Sequence, residues 1–200
     1  AENSIVVASG ANMLLNEQDV DKVVEEMCEG DILLMQLEIP IQTVEYAARR
    51  AFEKGVKVVL NPAPARSLPK ELLRYLFMIT PNRIEAEMLT GIKIVNDADA
   101  ERVAKEISAM GVQNIIVTLG SKGCLVREGD TSYCVDAFKV EPVDTTAAGD
   151  TFNGALCVGL AEGMNLRQAA VMASKASSVA VTRMGAQSSI PHRKELDLNE

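Results

Sequence analysis

The chain has 200 residues, 48% apolar and 24% charged, with a formal net charge of −8. That length supports one sizeable core, and the balance is ordinary for an α/β domain. The acidic charge argues against a nucleic-acid or anionic-membrane surface, and no apolar run is long enough to cross a bilayer or reads as a signal peptide.

Strand-like and helix-like stretches alternate along the chain. Residues 4–8 are a short β-branched run, 19–28 have helical spacing, and 31–37 form a nearly continuous apolar run suited to a strand covered on both faces. Pro40 opens a helix through about Lys54, Gly55 ends it, and 57–60 is the next strand. The proline-rich stretch 61–65 is loop. A short helix over 72–76 leads to a strand at 77–80, and Pro81-Asn82 turns into a helix over 84–90. A strongly amphipathic helix follows over 97–110, then a strand over 114–119. Residues 124–127 and 132–135 flank Glu128-Gly129-Asp130 as a hairpin, and two helices close the chain over 148–162 and 166–182. This order predicts one domain of residues 1–200, with a doubly wound, mainly parallel sheet and helices on both faces. Its ligands would sit at the C-terminal strand ends.

The most informative stretch is Thr145-Thr146-Ala147-Ala148-Gly149-Asp150, which runs into Thr151-Phe152-Asn153-Gly154-Ala155. Small residues entering a helix leave backbone amides open to an anion. An acid in such a nest is out of character for a plain anion site but well placed as a general base for an attacking hydroxyl. An ordinary capped helix is the plainer reading of the same residues.

Other clusters follow predicted strands. Asn82 and Glu85 stand three apart at a helix start, either converging on one point or forming a capping box. Thr118-Leu119-Gly120-Ser121-Lys122-Gly123 could wrap a nucleotide or simply turn into the hairpin; its spacing is not that of a Walker A loop. Glu38 ends an apolar strand, as a substrate contact or a solvated edge residue. Residues 183–189 form a polar loop whose carbonyls and hydroxyls suit a hard cation. His192 is the single histidine and reads as a surface residue, which removes histidine dyads but not phosphoryl transfer. Cys28, Cys124, Cys134 and Cys157 lack metal-like spacing. Three of them fall in apolar or strand-like runs and are expected to be buried free thiols in a reducing cytosol.

Together and in this order, these stretches resemble the ribokinase-like (PfkB) sugar kinases. The resemblance rests on residues 143–155, Asn61-Pro62-Ala63-Pro64-Ala65-Arg66, Ile79-Thr80-Pro81-Asn82 with Glu85-Ala86-Glu87, and Val181-Thr182-Arg183 with Gly185-Ala186-Gln187. It covers essentially the whole chain and implies ATP-dependent phosphorylation of D-ribose at O5. A fructokinase, another sugar or nucleoside kinase, or a non-catalytic nucleotide-binding module are the alternatives. It implies Asp150 as the base and the amides of Ala147, Ala148 and Gly149 as the anion hole. Asn82 would lie on the phosphate side, with Glu85 holding Mg²⁺ through water. Thr118, Leu119, Gly120, Ser121, Lys122 and Gly123 would hold the nucleotide, together with Gly149 and Asp150. Ser174 stands beside the adenine position, where relatives carry Asn or His. Asp144, Thr146, Ala180, Arg183, Gly185 and Ser189 match a K⁺ site, several through carbonyls, and Glu38 would bind the sugar. The family's longer N-terminal segment, with its Gly-Gly sugar grip and β-sheet lid, has no counterpart here. The homodimer built on that lid is therefore expected of a full-length enzyme.

Overall fold

The computed structural model describes residues 8–196, and apart from Ala8 the strand expected over 4–8 lies outside them. In chain order the elements are α1 (Glu17–Glu26), β1 (Ile32–Met35), α2 (Ile41–Glu53), β2 (Lys57–Leu60), α3 (Lys70–Leu73), β3 (Met78–Ile79), α4 (Arg83–Thr90), α5 (Asp97–Ala109), β4 (Asn114–Thr118), β5 (Cys124–Glu128), β6 (Thr131–Val135), α6 (Ala148–Ala161) and α7 (Leu166–Ala180). Helix starts follow local chemistry. Asn16, Asn82, Asn96 and Asn165 each cap a helix by accepting from an early backbone amide, with a reciprocal acid or Gln at the third helical position. Such a cap contributes about 1 kcal/mol.

The six strands form one sheet in sequence order, β1-β2-β3-β4-β5-β6. Pairs from β1 to β4 are parallel, and the β4–β5 and β5–β6 pairs are antiparallel. Strand alternation separates two cores. Val58, Leu60, Ile79, Ile115 and Val117 pack under α2, α3 and α5, whereas Val59, Met78, Ile116 and Val126 pack under α6 and α7. Helices therefore cover both faces, as expected. The second layer comes from the two C-terminal helices and not from a reversal in strand order. Burying each of these side chains contributes roughly 1.5–3 kcal/mol, so both layers are needed to hold the sheet.

Two expectations need correction. The strand read over 31–37 ends at Met35, so Gln36, Leu37 and Glu38 belong to the turn beyond it. Of the cysteines, all free, Cys124 alone is fully buried; Cys157 is partly covered, and Cys28 and Cys134 are exposed. Cys134 lies on β6, at the edge of the sheet, where alternation turns it outward. Burial pushes the Cys124 thiol up to about 12 and that of Cys157 to about 11, so neither is a ready nucleophile.

Because β1 to β4 run parallel, their C-terminal ends, Met35, Leu60, Ile79 and Thr118, lie along one edge. The segments that follow them build the site.

Candidate active site

The loop into α6 does what its small residues suggest. Ala147 caps the helix in the left-handed conformation (φ 58°, ψ 15°), the one non-glycine residue at positive φ among those described. The first intrahelical bond runs from the Thr151 amide to the Ala147 carbonyl at 2.8 Å, while the Ala148 amide reaches back to Thr145 at 3.3 Å. The Gly149 and Asp150 amides, in the first turn, have no carbonyl one helical turn behind them. They are free to meet an anion.

Asp150 stands in that turn, and its Oδ1 accepts from Gln36 Nε2 at 2.7 Å. Asp150, Gln36 and the exposed Glu38 line one cavity of about 510 Å³ beside β1, with Asn61 and Asn153 on its floor. The residues expected to act as base and sugar contact thus line the same cavity.

Asn82 and Glu85 close on each other. Asn82 Oδ1 accepts from the Glu85 amide at 3.0 Å, Glu85 Oε2 accepts from the Asn82 amide at 2.8 Å, and Asn82 Nδ2 donates to Glu85 Oε1 at 2.7 Å. This is a capping box with one extra bond. Glu85 is 4% exposed, and burial holds its carboxyl above the ordinary value against the pull of the Asn82 amide. The pair sits next to the glycine loop, since Asn82 bridges Thr118 and the Thr118 amide donates to Pro81 at 2.9 Å. In that loop Gly120–Lys122 make one 3-10 turn. Gly123 (φ 87°, ψ −132°) passes so close to the Val135 carbonyl that no side chain fits. The loop is thus both an open turn and the hairpin's entry.

Ser174 is not brought to an open surface. It is 6% exposed on α7, bonded to the Cys124 side chain, because its helix face packs on β5. His192 is exposed, as expected.

The two loops matched to a cation site are clasped by Asp144. Its Oδ1 accepts from the Thr146 amide and its Oδ2 from the Gly185 amide, both at 2.9 Å. The Thr146 hydroxyl and these two amides hold the Asp144 carboxyl below its ordinary value. The Val143 and Asp144 amides both donate to the Val181 carbonyl, at 2.7 and 3.1 Å. Arg183 turns its guanidinium to Glu195 at 2.6 Å, and the Ser189 hydroxyl, fully buried, donates to the Ala186 carbonyl at 2.7 Å. Ala180, Arg183, Gly185 and Ser189 therefore lie on one connected segment that Asp144 ties to Thr146.

Sequence reading missed four residues here: Gln36, Asn61, Thr80 and Asn153. Asn61 Nδ2 donates to the Thr80 carbonyl at 3.1 Å, Thr80 Oγ1 to Asn153 Oδ1 at 2.6 Å, and Asn153 Nδ2 to the Gly149 carbonyl at 2.9 Å. Their signal was present: each is a polar residue directly after, or inside, an apolar run.

A sheet whose parallel strand ends face an amide-lined helix start with an adjacent carboxylate is suited to handling phosphoryl groups. Residues 1–193 match the family model described as pfkB family carbohydrate kinase, and the chain belongs to that family. It is 46% identical to the ribokinase of Haemophilus influenzae over 195 residues, which cover 98% of this chain and 64% of that relative. Identity to the ribokinase of Staphylococcus aureus is 40% over 197 residues, 98% of this chain and 65% of that one. The Arabidopsis thaliana ribokinase structure, complexed with ribose and ATP, superposes with a TM-score of 0.87 at 31% identity, covering 96% of this chain and 63% of that one. The chain thus spans somewhat less than two thirds of the length of these relatives.

Proposed function

We propose that this chain is the catalytic and nucleotide-binding portion of an ATP:D-ribose 5-phosphotransferase. The observation that carries the reading is Asp150: a carboxylate fixed at 2.7 Å by Gln36, in a helix turn whose amides are open, facing a cavity shared with Glu38. Ribose is the sugar because the most similar relatives reported above are ribokinases.

In this reading the nucleotide lies along residues 118–123 and the Asn82 helix start, with its terminal phosphate at the Gly149 and Asp150 amides. Glu38 accepts hydrogen bonds from sugar hydroxyls. Asp150 takes the proton from the sugar's 5-hydroxyl as that oxygen bonds to the terminal phosphorus. The bond from phosphorus to the ADP oxygen breaks, and the amides stabilise charge on the transferring group. Mg²⁺, when bound, would neutralise phosphate charge; Glu85, reached through water, and Asn82 are the residues to hold it. The donor chemistry fits a hard cation, because Glu85 is a buried carboxylate beside the glycine loop. K⁺ would sit at the Asp144–Thr146 and 180–189 segments, whose single carboxylate and many carbonyls suit a loosely held monovalent ion. The free thiols fit a cytoplasmic location, and homodimerisation is an expectation for a longer chain.

The test is Asp150→Asn in the intact enzyme. Turnover with ATP and ribose should fall by roughly 10²–10⁴, the usual worth of a general base, while calorimetric ATP affinity stays unchanged. Near-normal turnover would remove Asp150 from the role and the reading with it.

A further inference from the structure

Four polar side chains at the strand ends form a chain of hydrogen bonds that starts and finishes at the proposed base. From the Asp150 carboxylate it passes to Gln36 after β1, Asn61 after β2, Thr80 after β3, Asn153 on α6, and returns to the Gly149 carbonyl, one peptide from its origin. Asn61, Thr80 and Asn153 are 8%, 1% and 4% exposed, so an unmatched donor or acceptor among them would be costly.

The direction of every bond is fixed by backbone atoms that can only accept. The Gly149 carbonyl forces Asn153 to present Nδ2 to it and Oδ1 to Thr80, so the Thr80 hydroxyl donates. The Thr80 carbonyl likewise forces Asn61 to turn Nδ2 inward and Oδ1 toward Gln36. Facing that oxygen at 3.5 Å, Gln36 presents its amino group, and the same nitrogen donates to Asp150 Oδ1 at 2.7 Å. Among the described residues, Oδ2 of Asp150 has no partner. Resting on the kinase reading above, we propose that Gln36 is a positioning residue. Through Asn61, Thr80 and Asn153 it fastens Oδ1 of Asp150 and reserves Oδ2 as the atom that receives the sugar's proton. The same chain braces the Gly149 peptide, so base and anion hole are held by one set of bonds.

The experiment compares wild type, Gln36→Leu, Gln36→Glu, Asp150→Ala and the Gln36→Leu/Asp150→Ala double variant, with ATP and ribose as substrates. Misplacing the base should cost Gln36→Leu about 10- to 100-fold in kcat, with the KM for ATP unmoved. Gln36→Glu keeps the shape but loses the donor, and should fall at least as far. In the Asp150→Ala background, Gln36→Leu should cost nothing further. Full turnover in Gln36→Leu or Gln36→Glu, or an equal loss in both backgrounds, overturns the proposal. Normal turnover in Asp150→Ala would instead defeat the kinase reading. The contact is then judged by thermal midpoints of the same proteins, which also serve for a preparation with no measurable transfer. Gln36→Leu should lower the midpoint by about 2–4 °C when Asp150 is present and leave it unmoved when Asp150 is alanine. An identical shift in both backgrounds counts against the contact.

Discussion

Ala147 holds a conformation that L-residues avoid, at a cost of roughly 1–2 kcal/mol, in the loop that leads into α6. Glycine would remove that strain but add freedom to the unfolded chain, costing back about 0.4–1 kcal/mol. The expected outcome for Ala147→Gly is therefore a small net gain, a rise of about 1–4 °C in the thermal midpoint. A lower midpoint would show that the methyl packs usefully and that the strain argument is wrong. At this scale the sequence is only partly legible. Asp150 announces itself because an acid among Ala and Gly is chemically odd, whereas Gln36 does not, since one amide beside Met35 and Leu37 reads as tolerance in a strand. Its meaning depends on Asp150, which is 114 positions away. Ser174 shows the complementary difficulty: alignment with a family position says nothing about which way a helix face turns, and this side chain is buried against Cys124.

Between elements, the clasp made by Asp144 joins the loop before α6 to the loop after α7, helices that pack along each other. Its carboxyl lies below the ordinary value of 3.8 because the Thr146 hydroxyl, then the Thr146 and Gly185 amides, donate to the charged form. A folded value below the unfolded one means that the folded state binds fewer protons. The clasp therefore contributes stability above pH 3.8, and that contribution is lost as the pH falls through the lower folded value. Asp144→Asn should be less stable than wild type near neutrality, and the gap should close in acid below the folded value. Chemical denaturation of both proteins across that range is the check; a gap that stays constant with pH would exclude the clasp as its source. Helices and strands themselves were largely legible, because caps such as Asn82 with Glu85 and turns such as Glu128-Gly129-Asp130 mark their own ends. Strand order was not. Alternating strands and helices give the same local pattern whether the sheet is wound straight or reversed at a switch point, and only long-range packing of α6 and α7 on the second face decides it.

For the whole molecule, the decisive feature is the edge at β1. That strand pairs with β2 alone among the described residues, and Leu34 on it is 38% exposed. Beside it the cavity of about 510 Å³ is walled by Val20, Val23, Leu33 and Leu34, of which Val23 and Leu34 are exposed. An unpaired strand edge next to an apolar wall invites pairing with another copy. The 200-residue chain on its own should therefore self-associate at micromolar concentration, and Leu34→Lys, a charge on the open edge, should reduce that association in light scattering. The same openness bears on chemistry. Asp150 and Glu38 line this cavity and are both exposed, so in the proposed reaction water would reach the base and few side chains would hold the sugar. Alignment of reactants can supply as much as ~7–11 kcal/mol of barrier reduction. The chain alone should then bind ATP weakly, through the glycine loop and the helix amides, yet transfer phosphate to ribose far more slowly than a relative of full length assayed beside it. Equal turnover from the two would mean that the groups described here suffice, and that the open edge and cavity have no bearing on catalysis.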